Sequence, residues 1–465
     1  MGEIIGGFYA SGLSPKEIEA AVASLDWDNI FDDEGLRQDR SFRRKQDDIL
    51  YLIDRKLGVK EGKVRLHSGF SQGQQLDLAL RRLTLHTIGI KDFDKLRIPY
   101  RSVATDLTTG EEVVLGSGDL ATSIRASMSV PALFSPVEIN GRLLVDGGMA
   151  NNLPISVVRD MGADIIIAVD ISTPLQKREE LESVLNITGQ LTGFLTQHQT
   201  ERQISTLTNK DILIIPDLGE ITSGDFNKFK DVIPTGIIAA EKKLDKLKRL
   251  SLSELSYSDY LALHPYKKES LPQVQFIRVD NPSELDDRML IENLDMKLGD
   301  TLDVSKLEKG IGRIYGLNIF QNVGYEIVEE EGQTGLMIHA REKSWGTGGL
   351  QFGLELSSDF EGENFFNIGT AFTNAPINRL NGEHRTSVQY GAEPTLVTEI
   401  YQPLDVQSRY YIKPIVGVRR YDVSVSQAGT QIAQQQVDTL FLTMWGGYNF
   451  ATWGRSSLGL YLSTG

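Results

Sequence analysis

Apolar and polar residues alternate in three different rhythms along the chain, and each rhythm predicts a different architecture. Over residues 1–250, helical spacing interleaved with short apolar runs is the texture of an α/β domain. Glu3 to Ala10 reads as a helix closed by Gly12. Ser14, Pro15 and Glu17 read as the start of the next helix: a serine cap, a proline at the first helical position and a glutamate placed to reach back. Buried strands are predicted at Arg101–Thr105, Ala163–Val169 and Ile212–Ile215. The second of these is nearly all apolar, which predicts a strand covered on both faces by helices.

Residues 251–272 are polar, with several serines and lysines, and read as an inter-domain connection. Over residues 273–342 the pattern becomes strand (Val274–Val279), helix (Glu284–Leu294), helix (Val304–Tyr315), strand (Val323–Val328) and strand (Leu336–Ala340), a small α+β module. From 343 to 465 the rhythm changes to alternating segments of about ten residues, the length that a tilted membrane strand needs. Leu350, Phe352, Leu354 and Leu356 fall on one face; Phe366, Ile368, Thr370 and Phe372 repeat the pattern, as do Leu440, Leu442 and Met444. Trp345, Phe365, Tyr410, Tyr448 and Trp453 sit near segment ends, where a bilayer interface places aromatic rings. A soluble antiparallel sandwich has the same alternation. Six or seven strands on their own keep two open edges and an apolar face, so the barrel reading calls for further strands, and without them aggregation is expected in the absence of detergent.

Composition narrows the function classes. With 40% hydrophobic and 24% charged residues the chain is folded protein, and 465 residues predict two or three domains. A net charge of -15 and the lack of a basic cluster argue against nucleic acid as a partner. The absence of cysteine removes disulfides, thiolate metal sites and cysteine nucleophiles. No apolar run reaches the length of a spanning helix, and Met1 to Gly12 lacks the basic and apolar regions of a secretory signal.

Candidate chemistry concentrates in the first domain. Asp146 precedes Gly147 and Gly148, residues that permit unusual dihedrals and a close backbone approach, so its carboxylate can be aimed out of a turn into a cleft. The same Asp-Gly pair is also a leading hairpin-turn dipeptide. Ser71 is the centre of a Gly-x-Ser-x-Gly pattern, Gly69 to Gly73, between a stretch that reads as a short strand (Val64–Ser68) and a helical one (Leu76–Leu85). His67, His86 and His198 are the histidines that a serine triad would need, and read as surface or helix-face residues. Asp106 reads as a turn residue and Asp170 as a cap or turn at a strand end.

Taken in order, three segments resemble a known family. The opening MGEIIGGFYASG is similar to the stretch that directly follows the nucleophile in patatin-like phospholipases. Ala126–Pro136 (ASMSVPALFSP), followed by Val145–Gly148 and Asn151–Pro154, resembles the part of that family that holds the catalytic aspartate. The likeness covers roughly residues 1–245. It implies a three-layer α/β/α hydrolase domain with a serine–aspartate dyad and an acyl-serine intermediate. Asp146 would be the general base, Met1 and Gly2 the remnant of the nucleophile turn, and Gly147 and Gly148 the support of the aspartate turn. The serine and the glycine-rich oxyanion loop then precede Met1, so the chain as it stands is expected to be inactive. In this register Gly69 to Leu80 resembles a helix-opening segment rather than the nucleophile. Residues 273–342 resemble the periplasmic POTRA module, and 343–465 the first strands of an outer-membrane barrel. The expected whole is a lipid acyl hydrolase, without metal or organic cofactor, attached to the bacterial outer membrane. Its hydrolase domain would be periplasmic or exported, its substrate a phospholipid or other lipid ester. The rivals are a non-enzymatic assembly or transport protein with a degenerate hydrolase domain, and a hydrolase that uses Ser71.

Overall fold

The computed structural model describes residues 2–27, 29–31, 33, 35–51, 57–66, 69–172, 175, 177–219, 221, 225–263, 271–358, 364–427 and 430–465. In chain order it begins with α1 (Gly2–Ala10) and α2 (Pro15–Ala23), then α3 (Phe42–Leu50), β1 (Leu57–Lys60) and β2 (Lys63–Arg65). There follow α4 (Gln74–Thr84), β3 (Ser102–Asp106), β4 (Glu112–Leu115), α5 (Leu120–Ser127), β5 (Val137–Ile139) and β6 (Arg142–Asp146). Next come α6 (Gly148–Asn151), α7 (Ile155–Asp160), β7 (Ile167–Val169), α8 (Val184–Ile204), β8 (Ile212–Ile214), α9 (Phe229–Glu241), α10 (Leu244–Lys248) and α11 (Glu254–Leu263). The chain divides into two units: residues 1–32 with 68–270, and residues 33–67 with 271–465. Residues 33–67 therefore interrupt the stretch 1–250 that reads as continuous in the sequence.

In the first unit local chemistry sets the helix starts. Ser14 accepts the Glu17 N–H at 3.3 Å while the Glu17 carboxylate accepts the Ser14 N–H at 2.8 Å, a reciprocal cap with Pro15 at the first position. Gly12, at φ +113, turns the chain after α1. Phe8 of α1, Leu76 and Leu80 of α4, Ile124 of α5, Phe93 and Phe134 form the buried core. The strands lie in two pieces, β4-β3-β6-β5 and the parallel pair β7-β8. The expectation of a doubly covered strand at Ala163–Val169 is corrected here. Only Ile167–Val169 is a strand, and Ile166 and Ala168 are buried while Ile165, Ile167 and Val169 are 39–48% exposed. Cover on one face is enough to hold such a run, and an all-apolar sequence does not report how many layers it meets. The polar connection is likewise not featureless, since α11 occupies part of it.

The second unit contains β9 (Phe276–Asp280), α12 (Asp287–Leu294), α13 (Val304–Tyr315), β10 (Phe320–Glu330) and β11 (Gln333–Glu342), the strands ordered β10-β11-β9 with β9 parallel to β11. Seven antiparallel strands follow: β12 (Gly348–Ser358), β13 (Asn364–Asn374), β14 (Glu383–Gly391), β15 (Thr395–Pro403), β16 (Tyr410–Gln427), β17 (Thr430–Phe450) and β18 (Gly454–Thr464). With the β1-β2 hairpin added beside β12 they form one nine-stranded sheet, β18 and β2 at its ends. The register puts Leu354 beside Ile368, Val416 beside Leu442 and Leu442 beside Leu462, so one face is apolar from strand to strand. These side chains are exposed, Leu354 by 47% and Leu442 by 49%, so no second sheet covers them as a sandwich would. The opposite face carries Gln351, Glu383, Arg385 and Thr443, all buried. Among the described residues no helix is long and apolar enough to cross a membrane.

Candidate active site

Asp146 is the last residue of β6, which is held on one side by β5 and on the other by β3, where Ala104 lies opposite Asp146. The β5-β6 hairpin turns at Asn140 and Gly141, both at positive φ, so the turn dipeptide of this hairpin is Asn-Gly and not Asp146-Gly147. Asp146 instead feeds α6. Its carboxylate accepts the Gly148 N–H at 2.7 Å, and its backbone is clamped on both sides: Thr105 Oγ1 donates to the Asp146 carbonyl at 2.8 Å, and the Asp146 N–H donates to the Ser129 carbonyl at 2.9 Å.

The glycines act by one of the two means expected of them. Gly147 has ordinary helical dihedrals (φ -66°, ψ -24°), so unusual backbone geometry is not its contribution. A Cβ there would lie 2.2 Å from the Val103 carbonyl oxygen, and one at Gly148 would lie 2.9 Å from Asp146 Oδ1. Close approach is what excludes a side chain.

Burial pushes the Asp146 carboxyl up to about 6, the Gly148 N–H opposing the shift and the negative charge of Glu3 adding to it. That coupling places the first turn of α1 within electrostatic reach of Asp146. The turn is tied down by Tyr100, whose hydroxyl donates to the Glu3 carbonyl at 2.9 Å, and the helix packs closely one turn later at Gly7, where a Cβ would lie 2.6 Å from the Ile124 side chain. Gly2 is the first residue of α1; Met1 lies outside the described residues.

Ser71 is placed differently. It is fully buried in a bridge to Phe134: its N–H donates to the Leu133 carbonyl at 2.8 Å, its carbonyl accepts the Ser135 N–H at 2.9 Å, and its Oγ accepts the Gly73 N–H at 3.0 Å. Gly69 and Gly73 have packing reasons to be glycine, with Phe134 backbone and the Arg125 guanidinium where a Cβ would go. The Gly-x-Ser-x-Gly pattern here builds a tight crossing of chain segments, and the Ser71 hydroxyl has no solvent exposure. His86 lies on a 3-10 turn after α4 and His198 on the exposed part of α8; His67 lies outside the described residues. Asp106 accepts the Thr108 N–H at 2.8 Å and Asp170 the Ser172 N–H at 2.9 Å, both turn roles.

Thr105 and Ser129, which clamp the Asp146 backbone, and Glu3, whose charge acts on its carboxyl, carry no signal of that role in the sequence, although Ser129 and Glu3 fall within the segments that resemble the family. Thr105 is recoverable only once the strand pairing is known. Asp211, also unremarked in the sequence, is a useful contrast. Its carboxylate accepts the Thr208 and Ile166 N–H groups, the Thr208 hydroxyl and Arg159 at 2.8 Å, and the Thr208 backbone bond above all holds it well below the usual carboxylate range. Asp211 is a structural tie; Asp146, with a higher affinity for protons, is suited to move one.

Residues 1–159 match the family model described as patatin-like phospholipase. An uncharacterized NTE family protein of Mycobacterium tuberculosis is 41% identical over 85 residues, 18% of this chain and 24% of that protein. A patatin-like phospholipase domain-containing protein of Caenorhabditis elegans is 30% identical over 175 residues, 37% of this chain and 11% of that protein. A lysophospholipase of Scheffersomyces stipitis is 26% identical over 273 residues, 52% of this chain and 15% of that protein. The chain thus spans a quarter or less of the length of these relatives. Among solved structures, BamA from Haemophilus ducreyi lacking POTRA domains 1–3 aligns with a TM-score of 0.34 at 15% identity, over 42% of this chain and 36% of that one. Residues 1–159, with Asp146 at the end of a clamped strand beside the first turn of α1, form a patatin-like phospholipase domain.

Proposed function

We propose that the α/β domain is a lipid acyl hydrolase whose base is Asp146, acting on a serine carried at the entry to α1. The observation that carries the reading is the pairing of a proton-retaining carboxylate with the first turn of a helix: the helix N-terminus favours a developing alkoxide, and a base with a pKa near 6 takes its proton at neutral pH. Serine Oγ attacks the ester carbonyl and its proton passes to Asp146; the collapsing tetrahedral intermediate expels the alcohol, which takes that proton and leaves an acyl-serine. Water, deprotonated by the same carboxylate, then adds to the acyl carbonyl, and the departing serine oxygen takes that proton back as the fatty acid is released. Oxyanion donors come, by family likeness, from a glycine-rich loop ahead of the serine. In this register Ser71 is not the nucleophile. Hydrolysis of a short p-nitrophenyl ester at enzymatic rates, lost in Ser71→Ala, would overturn the assignment. In protein that carries the serine, Asp146→Asn is expected to abolish phospholipid hydrolysis with the fold intact, and wild-type rates in that variant would remove Asp146 from the mechanism.

The same proposal assigns the nine-stranded sheet to an outer membrane, with residues 273–342 as a POTRA-like periplasmic module. Dimensions support it. On the apolar face the rings of Tyr410, Tyr448, Phe450 and Trp453 form a continuous ladder at one end. At the other end Arg420 forks onto Asp438 at 2.6 and 3.0 Å. From Tyr410 to Arg420 the strand advances about 33 Å along its own axis, and a tilt of about 40° reduces this to about 25 Å, the height of the apolar band of such barrels. Partition into detergent micelles, with protection of the Val416 and Leu442 region by lipid-phase quenchers, is the corresponding measurement; full solubility without detergent would overturn the membrane assignment.

A further inference from the structure

Residues 33–67 leave the α/β unit after position 32, are grouped with the strand-rich unit, and return at position 68. Three sets of contacts fasten them there. The Asp39–Arg40 backbone lies on α13 at Gly312 and Gly316, where a Cβ would meet Asp39 Oδ2 and the Asp39 carbonyl, each at 3.0 Å. The hairpin joins the sheet edge, with Leu57 opposite Leu350 and Val59 opposite Gly348, and Gly58 is so close to Trp345 that a Cβ would lie 2.3 Å from its ring.

The third set is the most specific. Helix α3 crosses the polar face of the sheet, and its charges are buried there. Arg43 Nε donates to Glu383 at 2.6 Å and its terminal nitrogen to Glu399 at 2.7 Å, with the guanidinium 4.7 Å above the Tyr401 ring. Arg44 donates to Glu383 and to Asp47, the latter at 3.0 Å, and Asp47 meets Arg385 at 2.8 Å. All of these side chains except Glu399, at 14%, are 8% exposed or less. Farther along, Lys45 Nζ donates to the Thr452 carbonyl at 2.7 Å, so the helix touches strands from β14 to the β17-β18 turn. Charges removed from water are tolerated only with their partners in place, which makes this helix and this face specific to one another.

We propose that residues 33–67 are a second anchor, an interaction module whose partner is the polar face of the sheet, and that it keeps the α/β unit on the strand-rich unit independently of the 251–272 connection. One cut in that connection then releases nothing. The two units are joined by the chain at 32–33, at 67–68 and at 270–271, and the first two joints lie on the amino-terminal side of the cut, carried by a segment docked in the other unit. The inference concerns attachment and does not depend on ester hydrolysis, so its failure would leave the proposed activity untouched, and the reverse.

The test uses the full chain in detergent, with a site for a sequence-specific protease inserted at the exposed residues 251–253. After complete cleavage the two fragments are expected to co-elute as one species. Arg43→Glu combined with Arg44→Glu sets like charges against Glu383 and Glu399, and is expected to lower the co-eluting amino-terminal fragment at least tenfold. Separation of the unmodified fragments, or undiminished co-elution of the double variant, overturns the proposal. A second measurement avoids the folding risk of the charge reversal. The chain has no cysteine, so Leu57→Cys with Leu350→Cys offers one possible disulfide. Oxidation is expected to link the cleaved fragments on a non-reducing gel; no link in folded protein overturns the anchor.

Discussion

The α/β unit and the nine-stranded sheet bury opposite kinds of residue. The α/β unit encloses Phe8, Leu80 and Ile124, and its buried Asp211 is tied to neighbours by hydrogen bonds and Arg159. The nine-stranded sheet turns Leu354, Val416 and Leu442 outward and packs Arg43, Arg44, Asp47, Glu383 and Arg385 inside. One arrangement suits water outside, the other hydrocarbon outside, and both follow the same rule that charge is buried only when paired. Asp146 departs from it, since no side-chain cation pairs with it among the described residues and its proton affinity rises instead. A half-buried carboxylate that holds its proton and has no side-chain cation beside it is a candidate for function.

The largest effect is expected at that exception. With the serine present, Asp146→Asn should lower kcat by thousands-fold or more, and wild-type kcat/KM should rise with pH to a plateau above about 6. The stability change has the opposite sign. The carboxyl is harder to ionise folded than at its ordinary 3.8, so its charge costs stability as pH rises from there through about 6. Asp146→Asn should therefore be more stable than wild type at pH 8 and equal to it near pH 3.5 by urea denaturation. If the variant is less stable at pH 8, the carboxylate has a partner and the contrast with Asp211 disappears.

Next in size, Glu383→Ala strands Arg43 and Arg44 without their shared anion and is expected to cost about 3–5 kcal/mol in detergent unfolding. A change below 1 kcal/mol would mean that water reaches this cluster. Leu442→Arg, at the middle of the exposed apolar face, should cost about 2–4 kcal/mol in a bilayer and close to nothing if that face meets water; equal stability in lipid and in buffer would make the sheet a soluble one. Smallest, Ser14→Ala removes the α2 cap and should cost about 1 kcal/mol in the α/β unit, detectable as a shift of thermal midpoint without loss of activity.

What could be read from the sequence was local. The Ser14–Glu17 cap is written in four residues, and the alternation of Leu350, Phe352, Leu354 and Leu356 emerges as one face because a strand has a period of two. Helix α13 was legible to the residue, Val304–Tyr315, from apolar spacing alone. Nothing local marks Arg43, Arg44 and Asp47 as a buried face: Phe-Arg-Arg-Lys-Gln-Asp-Asp reads as a solvated surface, and apart from the Arg44–Asp47 pair within the helix the partners of these charges lie more than 300 positions away. The same limit applies to Asp146. Two turn dipeptides lie close together, and the three residues of β5, too short to show periodicity, decide that Asn140-Gly141 makes the hairpin.

The 340-residue separation between Arg43 and Glu383 also sets an order of assembly. At ribosomal speeds of about 5–20 residues per second, helix 42–50 emerges roughly 20–70 s before its carboxylate partners exist. Through that interval the segment is an exposed, strongly charged loop on a folding amino-terminal domain, open to proteases and to chaperones. Contacts of such long range also slow the final docking, because the chain-closure entropy is paid before any contact returns it. The last step in the maturation of this protein is thus expected to be the seating of its thirty-third to sixty-seventh residues, and a pulse-labelled protease sensitivity that persists there after the rest is resistant would display it.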